Sequence, residues 1–110
     1  MATVGGYIND RLLVSVTNKR VILVNSQTGE TVAQITPKSF PCRMCMFDNT
    51  RAVVALVDKS LQFININGDC LELGRSFSVN GNVMGVSRSE DRLIVPYRSP
   101  PWLEVLSMDG

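Results

Sequence analysis

Apolar residues along this chain come in short runs closed by clusters of small polar residues, and the runs return at a fixed interval. Arg11-Leu12-Leu13-Val14-Ser15-Val16 recurs as Arg51-Ala52-Val53-Val54-Ala55-Leu56-Val57 and again as Arg92-Leu93-Ile94-Val95-Pro96-Tyr97. The leading arginines stand 40 and then 41 positions apart. A second landmark, Thr28-Gly29, Asn67-Gly68 and Asp109-Gly110, follows each arginine, with gaps from Arg to Gly of 18, 17 and 18. The runs are rich in Val and Ile, which suit a pleated, packed surface, so each reads as a β-strand. Helical repeats of similar length would need long periodic stretches of Ala, Leu, Glu and Lys, and none is present.

Each unit divides into three or four strands separated by turns. The first predicts strands at 6–8, 12–16, 21–24 and 31–35, with turns at Asn9-Asp10, Thr17-Asn18-Lys19 and Ser26-Gln27-Thr28-Gly29. The second predicts 44–47, 52–57, 61–66 and 70–73, joined by Asp48-Asn49-Thr50, Asp58-Lys59-Ser60 and the tight hairpin signal Asn67-Gly68. The 61–66 strand alternates as a half-buried one, with Leu61, Phe63 and Asn65 on one face. The third predicts 83–86, 93–97 and 102–106, with Ser89-Glu90-Asp91 and an expanded turn Arg98-Ser99-Pro100-Pro101 that the prolines exclude from a regular ladder. The sequence stops at Asp109-Gly110, where the other units begin their fourth strand.

Repeats of about 40 residues made only of strands and turns are the mark of propeller blades. The expected fold is therefore all-β: an incomplete or open β-propeller of about three antiparallel blades, the last lacking its outer strand. Residues 1–110 form one propeller fragment, with approximate units 1–40, 41–80 and 81–110. Closed propellers usually have four to eight blades, and fewer than three complete units cannot close a ring from one chain, so the outward faces of the end blades call for missing blades of a parent chain or a homo-oligomer. An unfinished edge can also accept a partner's strand.

Composition narrows the partners. With 45% hydrophobic and 19% charged residues the chain is that of a folded domain, and a net charge of +1 gives no general pull toward nucleic acid or an anionic membrane. No apolar run reaches membrane-span length and the start lacks a secretion signal. Three cysteines, an odd number, do not suggest a disulfide scaffold, which favours a reducing compartment and a cytoplasmic location.

Catalysis finds little support. Histidine, the commonest general base and zinc ligand, is absent. Asp10, Asp48, Asp58, Asp69, Asp91 and Asp109 mostly fall in turns, where capping the backbone is their ordinary role. Cys42-Arg43-Met44-Cys45 has the spacing of zinc knuckles and redox pairs, but a zinc site needs two further ligands, and Cys45 in a strand can be a small buried apolar group. No catalytic residue, metal site or cofactor is expected, and the chain is read as no enzyme.

Recognition is better supported. Trp102 beside Pro101 and near Arg98 offers a rigid apolar contact next to a guanidinium, with Tyr97 at the same loop. The alternative for Trp102 and Tyr97 is to fill space between blades. Arg11, Arg51 and Arg92 hold equivalent repeat positions and should lie at one height, either as contacts for RNA or an acidic partner or as locally bonded turn residues.

In these segments the chain resembles NHL, YVTN and WD40-like β-propellers. The matching stretches are Phe47-Asp48-Asn49-Thr50-Arg51-Ala52-Val53-Val54 with Phe63-Ile64-Asn65-Ile66-Asn67-Gly68, and Ser87-Arg88-Ser89-Glu90-Asp91-Arg92-Leu93-Ile94-Val95 with Val105-Leu106-Ser107-Met108-Asp109-Gly110. The Gly-His and Trp-Asp pairs of standard WD40 repeats are missing. The resemblance implies a domain like those ending tripartite-motif ubiquitin ligases, which recruit proteins or RNA while chemistry is organised elsewhere. The leading expectation is a non-catalytic scaffold that binds a peptide or protein through blade-rim loops. RNA binding is the alternative, and a metal-dependent propeller enzyme the third.

Overall fold

A computed structural model describes residues 3–8, 10–16, 19–98 and 101–107, and the regular structure among them is entirely β. The first sheet holds β1 (Thr3–Ile8), β2 (Arg11–Val16), β3 (Arg20–Asn25) and β4 (Thr31–Ile35). The second holds β5 (Pro41–Met46), β6 (Arg51–Leu56), β7 (Ser60–Asn67) and β8 (Cys70–Ser78). The third holds β9 (Ser87–Ser89), β10 (Arg92–Tyr97) and β11 (Trp102–Ser107). Each strand pairs antiparallel with its neighbours in sequence, so every sheet is a meander.

Local chemistry closes the turns. Asn25 Oδ1 accepts from the backbone N–H of Gln27 at 2.9 Å and of Thr28 at 3.2 Å, while Gly29, at φ 77°, donates to the Asn25 carbonyl. Gly68 takes φ 62° in the Asn67-Gly68 hairpin, a conformation side-chain-bearing residues resist. Asn9, Thr17-Asn18, Ser99-Pro100 and Asp109-Gly110 lie outside the described residues.

The sheets stack face to face with two separate apolar layers between them. Leu13, Val21 and Leu23 of the first sheet meet Ala52, Val54, Leu56, Ile64 and Ile66 of the second. On the other side of the second sheet, Phe47, Val53, Ala55, Leu61 and Phe63 meet Leu93, Val95 and Tyr97 of the third. Strand β7 is thus buried on both faces, and the expectation of a half-buried strand is corrected. The central sheet has a neighbour on each side, so Ile64 (0% exposed) and Ile66 are as enclosed as Leu61 and Phe63.

The third sheet departs from the predicted pattern. Its inner strand lies at Ser87–Ser89, while 83–86 contributes one isolated bridge, Val83 to Tyr97. The cause is Pro96. Met84 N–H donates to the Pro96 carbonyl at 2.8 Å, but proline has no N–H to return the bond. The orphaned Met84 carbonyl instead accepts from Arg43 Nε of the second sheet at 2.9 Å. The ladder resumes only at Ser87, opposite Ile94. Among the described residues the third sheet has three strands, leaving β11 as an unpaired outer edge.

Candidate functional site

Because the strands run up and down, the turns gather on two opposite rims. The turns from β1 to β2, β5 to β6 and β9 to β10 share one rim, and Arg11, Arg51 and Arg92 each begin the second strand there. The turns from β6 to β7 and β10 to β11, with the links between sheets, form the other. Tyr97, Arg98 and Trp102 lie on this second rim. The length of β10 separates the two sets by about 17 Å at ~3.4 Å per residue.

The arginine rim is occupied by its own neighbours. Arg11 meets Asp69 across the first two sheets with two bonds, 2.9 Å from Nε and 3.3 Å from a terminal nitrogen. The Arg11 bond holds the Asp69 carboxyl below its ordinary range, and both side chains stay open to solvent. Arg51 bonds Asp48 at 2.9 Å from Nε, and its guanidinium lies 4.8 Å from the Phe47 ring centre and 5.6 Å from that of Phe63. Partial burial would raise the Asp48 carboxyl, but bonds from Arg51 and Thr50 outweigh it and the net shift is downward. Arg75 and Arg88 add guanidinium contacts of 5.4 Å to Phe63 and 5.6 Å to Phe47. Arg92 is exposed.

The second rim presents apolar surface instead. Tyr97 is buried (1% exposed) between the second and third sheets, and its hydroxyl donates to Glu104 Oε1 at 2.6 Å. Burial, reinforced by Glu104 and opposed by the Asn80 backbone N–H, pushes its phenol up to about 12. Trp102 stacks on the Tyr97 ring, centres 4.5 Å apart and planes 17° from parallel, yet remains 41% exposed. Tyr97 therefore fills the space between sheets, whereas Trp102 offers a surface. The ring stack holds the indole in place without covering it.

Beside Tyr97 opens a cleft of about 180 Å³ lined by Cys42, Leu56, Val57, Lys59, Gly81, Asn82 and Val83. A methyl group on Gly81 would lie 3.4 Å from Tyr97 Cδ1, so the cleft margin and the Trp102 stack share one ring. Val57 is 57% exposed and its N–H donates to the carbonyl of Phe40, itself exposed, extending the apolar strip toward the first sheet. Cations border it. Lys59, at φ 64°, occupies the same repeat position as Lys19 at φ 71°, and Lys19 Nζ lies 5.9 Å from the Phe40 ring centre. Lys38 stands 3.9 Å from Asp58. Arg98 is exposed, its backbone N–H bonded to the Asn82 carbonyl at 3.0 Å.

Cys42 at the cleft wall donates to the Ala55 carbonyl at 3.2 Å. Burial pushes its thiol up despite Arg43, and pushes Cys45 up to about 11 despite Arg88. Both remain thiols near neutral pH, the unreactive form. Among the described residues no group of three or more potential metal ligands comes together.

No protein-family model matches the sequence, and no curated protein matches it. Solved structures do match. The WD40 β-propeller domain of Doa1 superposes with a TM-score of 0.80 at 13% identity, over 98% of this chain and 36% of that one. The fold is an open, WD40-like β-propeller. A chain of the mitotic checkpoint complex gives a TM-score of 0.81 at 13% identity, over 99% of this propeller and 36% of its own length. BamB from Moraxella catarrhalis gives 0.75 at 16% identity, over 96% and 31%. The chain spans about a third of each, and its three sheets are three blades.

Sequence reasoning offered Trp102 and Arg98 as contacts, with space-filling between blades as the other reading of Trp102, and did not single out Val57, Lys59, Asn82 or Val83. The signal available was the repeat position of Lys19 and Lys59 and the polar link through Gly81-Asn82, which must pass between blades. Neither marks a cleft until two sheets are packed against each other.

Proposed function

We propose that this propeller segment is a non-catalytic interaction module that binds a peptide or protein segment at the Trp102 rim. The supporting observations are exposed Trp102 stacked on Tyr97 and, against the same tyrosine at Gly81, a cleft lined by Val57 and Lys59, with exposed Arg98 bonded through its backbone to Asn82. Held aromatics with adjacent cations suit a segment carrying an apolar anchor and neighbouring carboxylates. One structural neighbour belongs to a multiprotein checkpoint complex, which agrees with a scaffolding role. The finer likeness to NHL propellers of tripartite-motif ligases rests on the strand and Asn-Gly pattern. The three free cysteines fit a cytoplasmic setting.

RNA binding is less well supported, because a strand contacting Arg98 and the repeated arginines must bridge opposite rims. Arg11 and Arg51 are already bonded to carboxylates.

The test is selection of binders from a random peptide library on the immobilised chain. Enrichment of apolar residues beside Asp or Glu is expected. Trp102→Ala should weaken selected peptides by tenfold or more, about 1.4 kcal/mol, with an unchanged sheet spectrum. Equal binding by the variant would remove this site.

A further inference from the structure

Between the second and third sheets, near the rim where Arg51 begins β6, arginines from three strands gather over two phenyl rings. Phe47 and Phe63 meet edge to face there, centres 5.7 Å apart and planes at 81°, and both are buried. Arg51 of β6 lies over both rings, Arg75 of β8 over Phe63 and Arg88 of β9 over Phe47. Three like charges drawn together raise the local potential, and the ring faces offset part of that cost. Asp48 answers Arg51, bonding Nε at 2.9 Å and a terminal nitrogen at 2.7 Å. Arg88 spends its Nε on the Glu90 carbonyl at 2.6 Å and forms no ion pair among the described residues.

The seam between the first and second sheets supplies an internal comparison, because the repeat register aligns the two. Arg88, opposite Leu93, holds the place that Met46 holds opposite Ala52. Arg75 precedes Ser76, which pairs with Gln62. Its counterpart Ala33 precedes Gln34, which pairs with Ile22. Met46 and Ala33 are half-buried and pack against the apolar layer of the first seam. Blade packing is thus met at both places by apolar side chains, and in the second seam both have become arginines. Their charge is not required for stacking sheets. Both arginines are exposed, so the terminal N–H groups of Arg88 remain for an acceptor from outside.

We infer that this seam is a second recognition site, taking a segment of a protein partner that carries a pair of acidic side chains. Arg11 shows the pairing geometry on the same rim, where Nε and a terminal nitrogen meet the two oxygens of the Asp69 carboxylate. Arg88 lies over one ring and Arg75 over the other, so each charge meets its own carboxylate. Resting on a ring holds a guanidinium in place while its edge still donates. The site needs no apolar anchor and lies on the rim opposite Trp102, so it stands apart from the peptide site above.

The experiment titrates a fluorescent peptide of alternating Glu and Gly into the chain at low and high salt, with the matching Gln and Gly peptide as control. Binding of the Glu peptide alone is expected, weakening as salt rises. Arg88→Met and Arg75→Ala install the residues of the first seam, so both variants should keep the sheet spectrum. Each should weaken the Glu peptide about three- to fivefold, the size of an exposed charge pair, and the double variant should weaken it further. Arg92→Gln removes one charge from the same rim but on the other face of the third sheet, and should leave binding unchanged. Trp102→Ala should also leave it unchanged, which separates this outcome from the fate of the Trp102 rim. Unaltered binding by Arg88→Met, an equal loss in Arg92→Gln, or tighter binding of a polyuridine strand than of the Glu peptide would overturn the inference.

Discussion

At the level of single residues, Tyr97 joins the core to the rim: its ring packs between blades, its hydroxyl bonds Glu104, and Trp102 lies on its face. Because burial and Glu104 raise the phenol to about 12 from an ordinary value of about 10, the native chain keeps a proton that the unfolded chain releases first. Tyr97 thus contributes stability that is complete below about pH 10 and lost as pH climbs toward about 12. Tyr97→Phe should lower stability by about 1 kcal/mol at neutral pH and flatten that alkaline decline, read from urea midpoints across the pH series. Sequence alone left Tyr97 and Trp102 with the same two roles. Their separation depends on register, since Tyr97 ends β10 under the neighbouring blade while Trp102 opens the outermost described strand.

Strands reveal a different limit of sequence reading. Positions 12–16, 52–56 and 93–97 stand out because β-branched runs recur behind an arginine, and all three are second strands of their sheets. Strand β7 did not read as fully enclosed, since Gln62 and Asn65 interrupt its apolar run. Gln62 is nevertheless buried, its amide N–H donating to the Gly74 carbonyl at 3.3 Å beside an irregularity in the β7–β8 pairing. A polar residue held by a local bond hides a buried face from any count of hydrophobic positions. Ile64 marks that face. Ile64→Ala should cost about 2–5 kcal/mol, seen as a lower urea midpoint with unchanged slope.

Across the whole molecule, the 40-residue interval was enough to read three stacked antiparallel units, because spacing reports how many sheets the chain can make. The rim that holds the cleft was not legible, since it arises where links from different repeats converge. The same stacking sets the order of protection. Native-state hydrogen exchange should be slowest in β6 and β7, enclosed on both sides, and faster in β4 and β11 at the sheet edges. Uniform exchange over all blades would contradict a chain with one enclosed and two half-covered sheets.

Arg43 gives the blades an unequal independence. By capping a carbonyl that Pro96 leaves stranded, it makes the third unit's backbone depend on a guanidinium contributed by the second. A repeat that tolerates proline inside a ladder can therefore be transplanted only together with its donor next door, and grafting this blade onto a scaffold without such an arginine would leave the carbonyl of Met84 unsatisfied at the joint.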